Sequence, residues 1–511
     1  MRHQSRLFHT LSLLGCLLLL MACHSSPEGE QSAFGPYVDV LDDSKLQQSL
    51  RQLLDSDTSR WMAISTLKEY YADVERATEH PIWYTRMGVS EDADQLLAHL
   101  RQALPANGMD STAFFVPQIA ADLQMVHQLS FDSLGIDINN VLPRLDYHLS
   151  KAFMLYSTHQ RYGFVRPGKL LNNTFMRDDS TGYAQLFDYK VEVPNYKVSL
   201  EALQSDDRMF YLQSSEPSNP LYATLQRALA TTTDAKARRR LLVNMERCRW
   251  QTKQPTELPR VEVNLPAQQL WAIGRDSVLN MRIVCGATAT KTPMVHSEIR
   301  YMQVNPDWVI PMSIIKKDIT RHEHDSAYFA RNHYYIVNRQ SGDTLNPMKV
   351  SADQMRSGLL RIGQTGGAHN SLGRIIFRFP NKFDIYLHDT NNRGAFSRER
   401  RTLSHGCMRV QKPFQLAQFL LPKASEWDLD RLRISIDLPP ESQRGHDWLE
   451  EHDDEPKPHH LLSYMKVSPA VPVYVLYYTV YPNPETGDLE TFPDIYKYDE
   501  LISKYLQHWH E

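Results

Sequence analysis

Apolar positions recur every three or four residues along the first half of this chain and every second residue along much of the rest. Leu46, Leu50, Leu53 and Leu54 share one helical face, and so do Leu96, Leu97, Leu100 and Leu104. Phe153, Leu155 and Tyr156 belong to a further periodic run that ends near Gly163. Leu221, Leu225 and Leu229 predict a helix after Pro220, and Leu241, Leu242 and Met245 another from about Ala235 toward Trp250. The character changes at Gln254-Pro255-Thr256-Glu257-Leu258-Pro259. Beyond it Arg260–Leu265 alternates like a half-buried strand, and Leu270–Ile273, Met281–Cys285 and Ser297–Val304 continue the β pattern. Tyr334–Asn338, Arg374–Phe379 and Asp384–Leu387 predict more strands, and Pro413 opens a helix carrying Phe414, Leu416, Ala417 and Leu420.

These patterns predict an α+β chain with a helical domain over 46–253 and a mixed, β-sandwich-like domain over 254–440. Residues 316–360 are polar and His-rich, and a loop of that length predicts an inserted lid or subdomain. Residues 441–511 follow an acidic, Pro-containing link and read as a C-terminal extension holding one buried strand at Val471–Tyr478 and a turn at Asn483–Asp488.

At 511 residues the chain is long enough for more than one core. Its net charge of −4 leaves no footprint for nucleic acid, and Arg238-Arg239-Arg240 reads as the solvated face of a helix. Arg2 and Arg6 precede an apolar run from Leu11 to Met21, which predicts a signal peptide over 1–22. The ending Leu20-Met21-Ala22-Cys23 resembles a bacterial lipoprotein processing box. It implies cleavage before Cys23, lipidation there, and a polar tether over 23–45; a plain secretory signal is the alternative. Two or more acyl chains give stable membrane anchoring. The expected location is the periplasmic side of a bacterial cell envelope, with the outer membrane favoured because His24, not aspartate, follows the cysteine.

Five cysteines are present, and removing Cys16 and Cys23 leaves Cys248, Cys285 and Cys407. Three is odd, so at least one thiol stays free. A Cys248–Cys285 bridge remains open, although Cys285 sits in an apolar strand as a small buried hydrophobe would. No Cys-x-x-Cys occurs, and His322-Glu323-His324 alone is too small a donor set, so no metal is expected.

Ser404-His405-Gly406-Cys407-Met408-Arg409 follows Tyr386-Leu387-His388-Asp389-Thr390 closely. A thiol nucleophile needs a base to take its proton and amide donors to receive the oxyanion, and a flanking glycine lets backbone approach the reacting carbonyl. This pair of motifs resembles the catalytic domain of the L,D-transpeptidases, cysteine enzymes that cross-link bacterial peptidoglycan. Asn305-Pro306-Asp307-Trp308, Asn370-Ser371-Leu372-Gly373, Phe379-Pro380-Asn381, Asn244-Met245-Glu246-Arg247 and Pro472-Val473-Tyr474 resemble the large branch that carries a helical scaffold domain. The resemblance implies Cys407 as nucleophile, His388 as its base, His405 and Gly406 on the oxyanion loop, and Tyr386, Ser404 and Arg409 lining the substrate site. It implies no cofactor. The implied reaction releases D-alanine from a tetrapeptide stem and passes the acyl group to a diamino-acid amine, giving a 3→3 cross-link. An L,D-carboxypeptidase hydrolysing the same bond and a non-catalytic wall-binding lipoprotein are the alternatives. Asp389 is expected to orient His388 through backbone, without a side-chain triad.

Overall fold

The computed structural model describes residues 32–173, 185–455 and 459–507. The signal peptide and Cys23 lie outside the described residues. Residues 32–42, expected as tether, lie against the helical domain: Phe34 is fully buried and Ala33 N–H donates to the Met87 carbonyl at 2.7 Å.

The helical domain is organised by α1 (Asp43–Ser56), α2 (Glu91–Ala106), α3 (Ile138–Tyr162), α4 (Pro220–Thr231) and α5 (Ala235–Arg249). Asp42 caps α1 by accepting from Ser44 N–H and Lys45 N–H, the arrangement that satisfies otherwise orphaned first-turn donors. The leucines at 96, 97, 100 and 104 are buried as the helical period requires. α3 is buried on nearly every side, so its polar side chains need internal partners. Asp146 accepts from Ile82 N–H, Trp83 N–H and the Tyr71 hydroxyl, and Ser150 receives Trp83 Nε1.

The β-rich half contains β1 (Arg260–Asn264), β2 (Gln269–Ile273), β3 (Val278–Gly286), β4 (Met294–Val304), β5 (Ile375–Arg378), β6 (Leu387–His388), β7 (Thr402–Ser404), β8 (Met408–Val410) and β9 (Tyr464–Leu476). Pairing runs β1–β2–β3–β8–β6–β5–β4–β9 and returns to β1, a closed circuit. β8 and β6 run parallel, as do β9 and β1; the other neighbours are antiparallel. β9 lies between β1 and β4, so the segment read as an extension contributes an interior strand. Its run Val473–Leu476 is continuously apolar because both faces of the strand are buried there. α6 (Pro413–Leu420) follows β8 and buries Phe414, Leu416, Ala417 and Leu420.

Between β4 and β5 the chain forms a separate four-stranded sheet from Thr344–Leu345, Tyr334–Asn338, Leu360–Gln364 and Trp308–Val309, in that order. Ile315, Ile319, Phe329, Ile336, Met355 and Ile362 give it a core of its own. This subdomain begins and ends several residues outside 316–360. Within it His322 stacks on Tyr328, His324 Nδ1 lies 2.8 Å from the Met348 carbonyl, and Glu323 accepts from Ala352 N–H.

Candidate active site

Three adjacent strands assemble the site. In the antiparallel β5–β6 pair Ile376 faces His388 and Phe377 faces Leu387; in the parallel β6–β8 pair Leu387 faces Met408 and His388 faces Arg409. Leu387 and Met408 are fully buried in the core. Side chains alternate along a strand, so Tyr386 and His388 share the opposite face with Cys407 and Arg409. Arg378 joins them: its guanidinium carbon lies 4.2 Å from the Tyr386 ring centroid. The Tyr386 and His388 rings meet edge-on at 5.8 Å between centroids.

The two motifs are therefore brought together by pairing, not by proximity in sequence. Met408 N–H donates to the Tyr386 carbonyl at 3.1 Å, setting the register that places Cys407 beside Tyr386. Cys407 is half-buried at the head of β8. Burial pushes its thiol up to about 11, while hydrogen bonds from the Tyr386 amide and hydroxyl and the charge of Arg378 pull the other way. Burial also holds His388 far below the ordinary histidine range, at about 3, and the neighbouring Arg409 charge adds to that. At neutral pH the resting pair is a thiol and a neutral imidazole.

His388 is oriented by a carbonyl. Its Nδ1 lies 3.4 Å from the Leu372 oxygen, which can only accept, so the proton belongs on Nδ1 and the lone pair on Nε2. The peptide bearing that carbonyl is fixed by Gly373 N–H, which donates to the Asn370 backbone carbonyl at 2.9 Å. The buried Asn370 side chain donates through Nδ2 to the Pro306, Gln364 and Thr365 carbonyls and accepts from Leu372 N–H. Gly373 follows at φ +66°, where a Cβ would stand 2.4 Å from the Asp389 carboxyl carbon and from Thr390 N. Asp389 is engaged elsewhere: it accepts from Arg374 N–H at 2.8 Å and pairs with Arg393 at 2.6 Å. Backbone of both Asp389 and the remote Leu372 hydrogen-bonds the imidazole, so the expected Asp389 backbone contact is joined by one the sequence did not point to.

The remaining sequence-predicted residues fall into different places. Arg409 lies on the same face as Cys407, half-buried, with Nε unpartnered among the described residues. Ser404 does not line the cleft: it is buried, its hydroxyl donates to the Cys407 carbonyl at 2.6 Å and accepts from Gly406 N–H at 3.2 Å, closing the loop on itself. His405 is exposed, and Lys317 and Asp318 of the inserted subdomain bear on its charge, so that subdomain borders the site. Cys248 and Cys285 are free and buried, each with its thiol pushed up to about 12 by burial. Sequence reasoning missed Arg378, although a charged residue inside the apolar run Ile375–Phe379 was its signal.

A half-buried thiol, a neutral imidazole with its lone pair free and an unpaired guanidinium on one face can support acyl transfer to sulfur. The comparisons agree with this chemistry. Residues 259–434 match the L,D-transpeptidase catalytic domain, and residues 65–229 match a scaffold domain. A Haemophilus influenzae protein named "Putative L,D-transpeptidase" is 28% identical over 325 residues; the match covers 60% of this chain and 60% of that relative's length. The chain thus carries a scaffold domain followed by an L,D-transpeptidase catalytic domain.

Proposed function

We propose that the protein is a peptidoglycan L,D-transpeptidase that uses Cys407 as nucleophile and His388 as base. The observation carrying this reading is the placement of Cys407, His388 and Arg409 on one face of β6 and β8. His388 Nε2 takes the thiol proton as sulfur attacks the carbonyl of the third stem residue. The C–S bond forms, the carbonyl electrons move to oxygen, and the Cys407 amide of the 405–407 loop receives the negative charge. Collapse breaks the C–N bond to D-alanine, whose amine takes the proton from His388. The side-chain amine of a second stem then attacks the thioester, gives its proton to His388, and expels the thiolate, which is reprotonated.

The depressed pKa of His388 sets a condition on the first step. Arg409 disfavours an imidazolium beside it. A stem-peptide carboxylate paired with Arg409 offsets that charge and strengthens the base only when substrate is present. The inserted subdomain beside His405 favours transfer over hydrolysis by limiting water at the thioester. Acylation at Cys23 and export place the enzyme on the periplasmic side of the envelope, held to the membrane near its substrate.

Incubation of the purified protein with disaccharide-tetrapeptide tests the reading. The expected products are free D-alanine and a 3→3-linked dimer. Tripeptide without dimer would make the protein an L,D-carboxypeptidase, and no D-alanine at all would make it a binding protein. Mass spectrometry of the mature N-terminal peptide tests the lipid on Cys23.

A further inference from the structure

The peptide bond preceding Cys407 is held from behind by residues that neither motif contains. β3 ends at Gly286, and the turn 287–292 folds back against it so closely that a Cβ there would lie 2.1 Å from the Thr290 carbonyl oxygen and 2.6 Å from Thr292 N. The fold-back carries two threonine hydroxyls to the catalytic loop. Thr290 Oγ1 donates to the Ser404 carbonyl at 2.8 Å, and Thr292 Oγ1 donates to the Gly406 carbonyl at 2.8 Å. Thr292 Oγ1 also accepts from Gly286 N–H at 2.9 Å. An amide can only donate and a carbonyl can only accept, so the hydroxyl proton has one place to go.

Tyr496 locks the other side of the turn. Its hydroxyl donates to the Gly286 carbonyl at 2.7 Å and accepts from Thr292 N–H at 3.1 Å. Tyr496 N–H is received by the Tyr477 hydroxyl at 2.8 Å, which donates to Asp494 at 2.5 Å. Asp494 caps the amides of Tyr498 and Asp499, and Asp499 pairs with Arg247 of α5 at 2.6 Å. Asn244 of α5 adds a two-way clasp on Thr479, which donates to Asp499. A continuous hydrogen-bonded path thus joins the Asn244-Met245-Glu246-Arg247 segment of the helical domain to the loop carrying the nucleophile.

The Gly406 carbonyl and the Cys407 N–H belong to one planar trans peptide and point in opposite directions. Fixing the carbonyl toward buried Thr292 therefore turns the Cys407 N–H away from the interior. The neighbouring donors are engaged, Gly406 N–H by Ser404 Oγ and Met408 N–H by the Tyr386 carbonyl, while no described group accepts the Cys407 N–H. We infer that Thr292, held by Tyr496 and through it by α5, is a positioning residue that aims the Cys407 amide at the oxyanion. This inference rests on Cys407 being an acyl-transfer nucleophile.

The test compares Thr292→Val, Thr292→Ser and Tyr496→Phe for acylation of Cys407 by a tetrapeptide stem and by p-nitrophenyl acetate, which also passes through an oxyanion. Alkylation by iodoacetamide, which forms none, is the reference. Thr292→Val should lose ~10²-fold in kcat, the cost of misaligning one oxyanion donor. Its KM and its alkylation rate should stay within about 2-fold of the parent, because ground-state binding and the thiol are untouched. Thr292→Ser, which keeps the hydroxyl, should restore most of kcat, and Tyr496→Phe should show the same split at smaller size. Unchanged kcat in both Thr292→Val and Tyr496→Phe overturns the inference. So does alkylation falling in step with acylation, or a serine variant as poor as the valine. If Thr292→Val does not fold, Tyr496→Phe with Thr292→Ser decides by the same criteria. A parent protein that is acylated by the ester but releases no D-alanine refutes the proposed substrate and leaves the positioning test readable.

Discussion

Cys285 and Cys407 stand on paired parts of one sheet and differ in almost everything that makes a thiol useful. β3, which carries Cys285, pairs with β7 on one register and with β8 on another, and Cys407 immediately precedes β8. Each sulfur has a tyrosine hydroxyl beside it, Tyr496 for Cys285 and Tyr386 for Cys407. Burial raises both above the ordinary thiol range, to about 12 and about 11. Resting ionisation therefore does not single out the nucleophile. Cys285 also feels a guanidinium, that of Arg401; what Cys407 has and Cys285 lacks is partial exposure and an imidazole on its own face. A tyrosine beside a thiol is a packing solution in one place and part of a reaction site in the other.

The widest separation should come from removing sulfur. Cys407→Ala should reduce D-alanine release by at least ~10³-fold, since a covalent step has no substitute nucleophile at that position. Cys248→Ala, a change far from the cleft inside α5, should leave kcat unaltered and lower the unfolding free energy by about 1 kcal/mol. In the folded parent protein iodoacetamide should label Cys407 alone, with Cys248 and Cys285 labelled only in denaturant. Labelling of Cys285 at a comparable rate would erase the contrast. His388→Asn should follow in size, with kcat down ~10²- to 10⁴-fold as for loss of a general base.

These two residues were legible in the sequence because acyl transfer needs a thiol and a base, and the motifs present both. The helical periods at Leu46, Leu96 and Leu221 and the alternation after Arg260 were legible for a similar local reason: each face is set by neighbours three, four or two residues away. What decided the rest was long-range pairing. Nothing local places Tyr496 against Gly286, or the Leu372 carbonyl against His388. Ser404 looked like a cleft residue because it neighbours Cys407, yet its hydroxyl turns inward to close the loop. The strand β9 read as part of an extension because its partners lie more than 150 residues upstream.

Arg378 offers a smaller and more selective effect. Its charge lies over the Tyr386 ring and acts to lower the Cys407 thiol, so Arg378→Met should raise that thiol further. Alkylation at pH 8 should slow by ~3- to 10-fold, following a shift of up to one unit. In the parent the alkylation rate should climb through pH 7 to 10, because a thiol near 11 gains anion steadily there. A plateau already reached at pH 5 would instead mean a preformed thiolate–imidazolium pair.

The smallest effect concerns stability and tests the neutral imidazole directly. His388 has a folded pKa of about 3, below the 6.5 of an exposed histidine. Below pH 6.5 the unfolded chain takes up a proton at this position that the folded chain refuses. The stability contributed by the neutral ring is thus complete above pH 6.5 and lost as the pH falls toward 3. One proton makes the slope approach ~1.4 kcal/mol per pH unit in that window. His148, also depressed to about 4 by burial, adds a similar dependence, so the parent alone cannot isolate one ring. The difference between the parent and His388→Gln can, since His148 is common to both. That difference, measured by urea unfolding, should be constant above pH 7 and should shift in favour of the glutamine variant on acidification. A difference independent of pH between 4 and 7 would mean that His388 binds its proton in the fold as readily as in the open chain, and that burial does not keep the ring neutral on acidification.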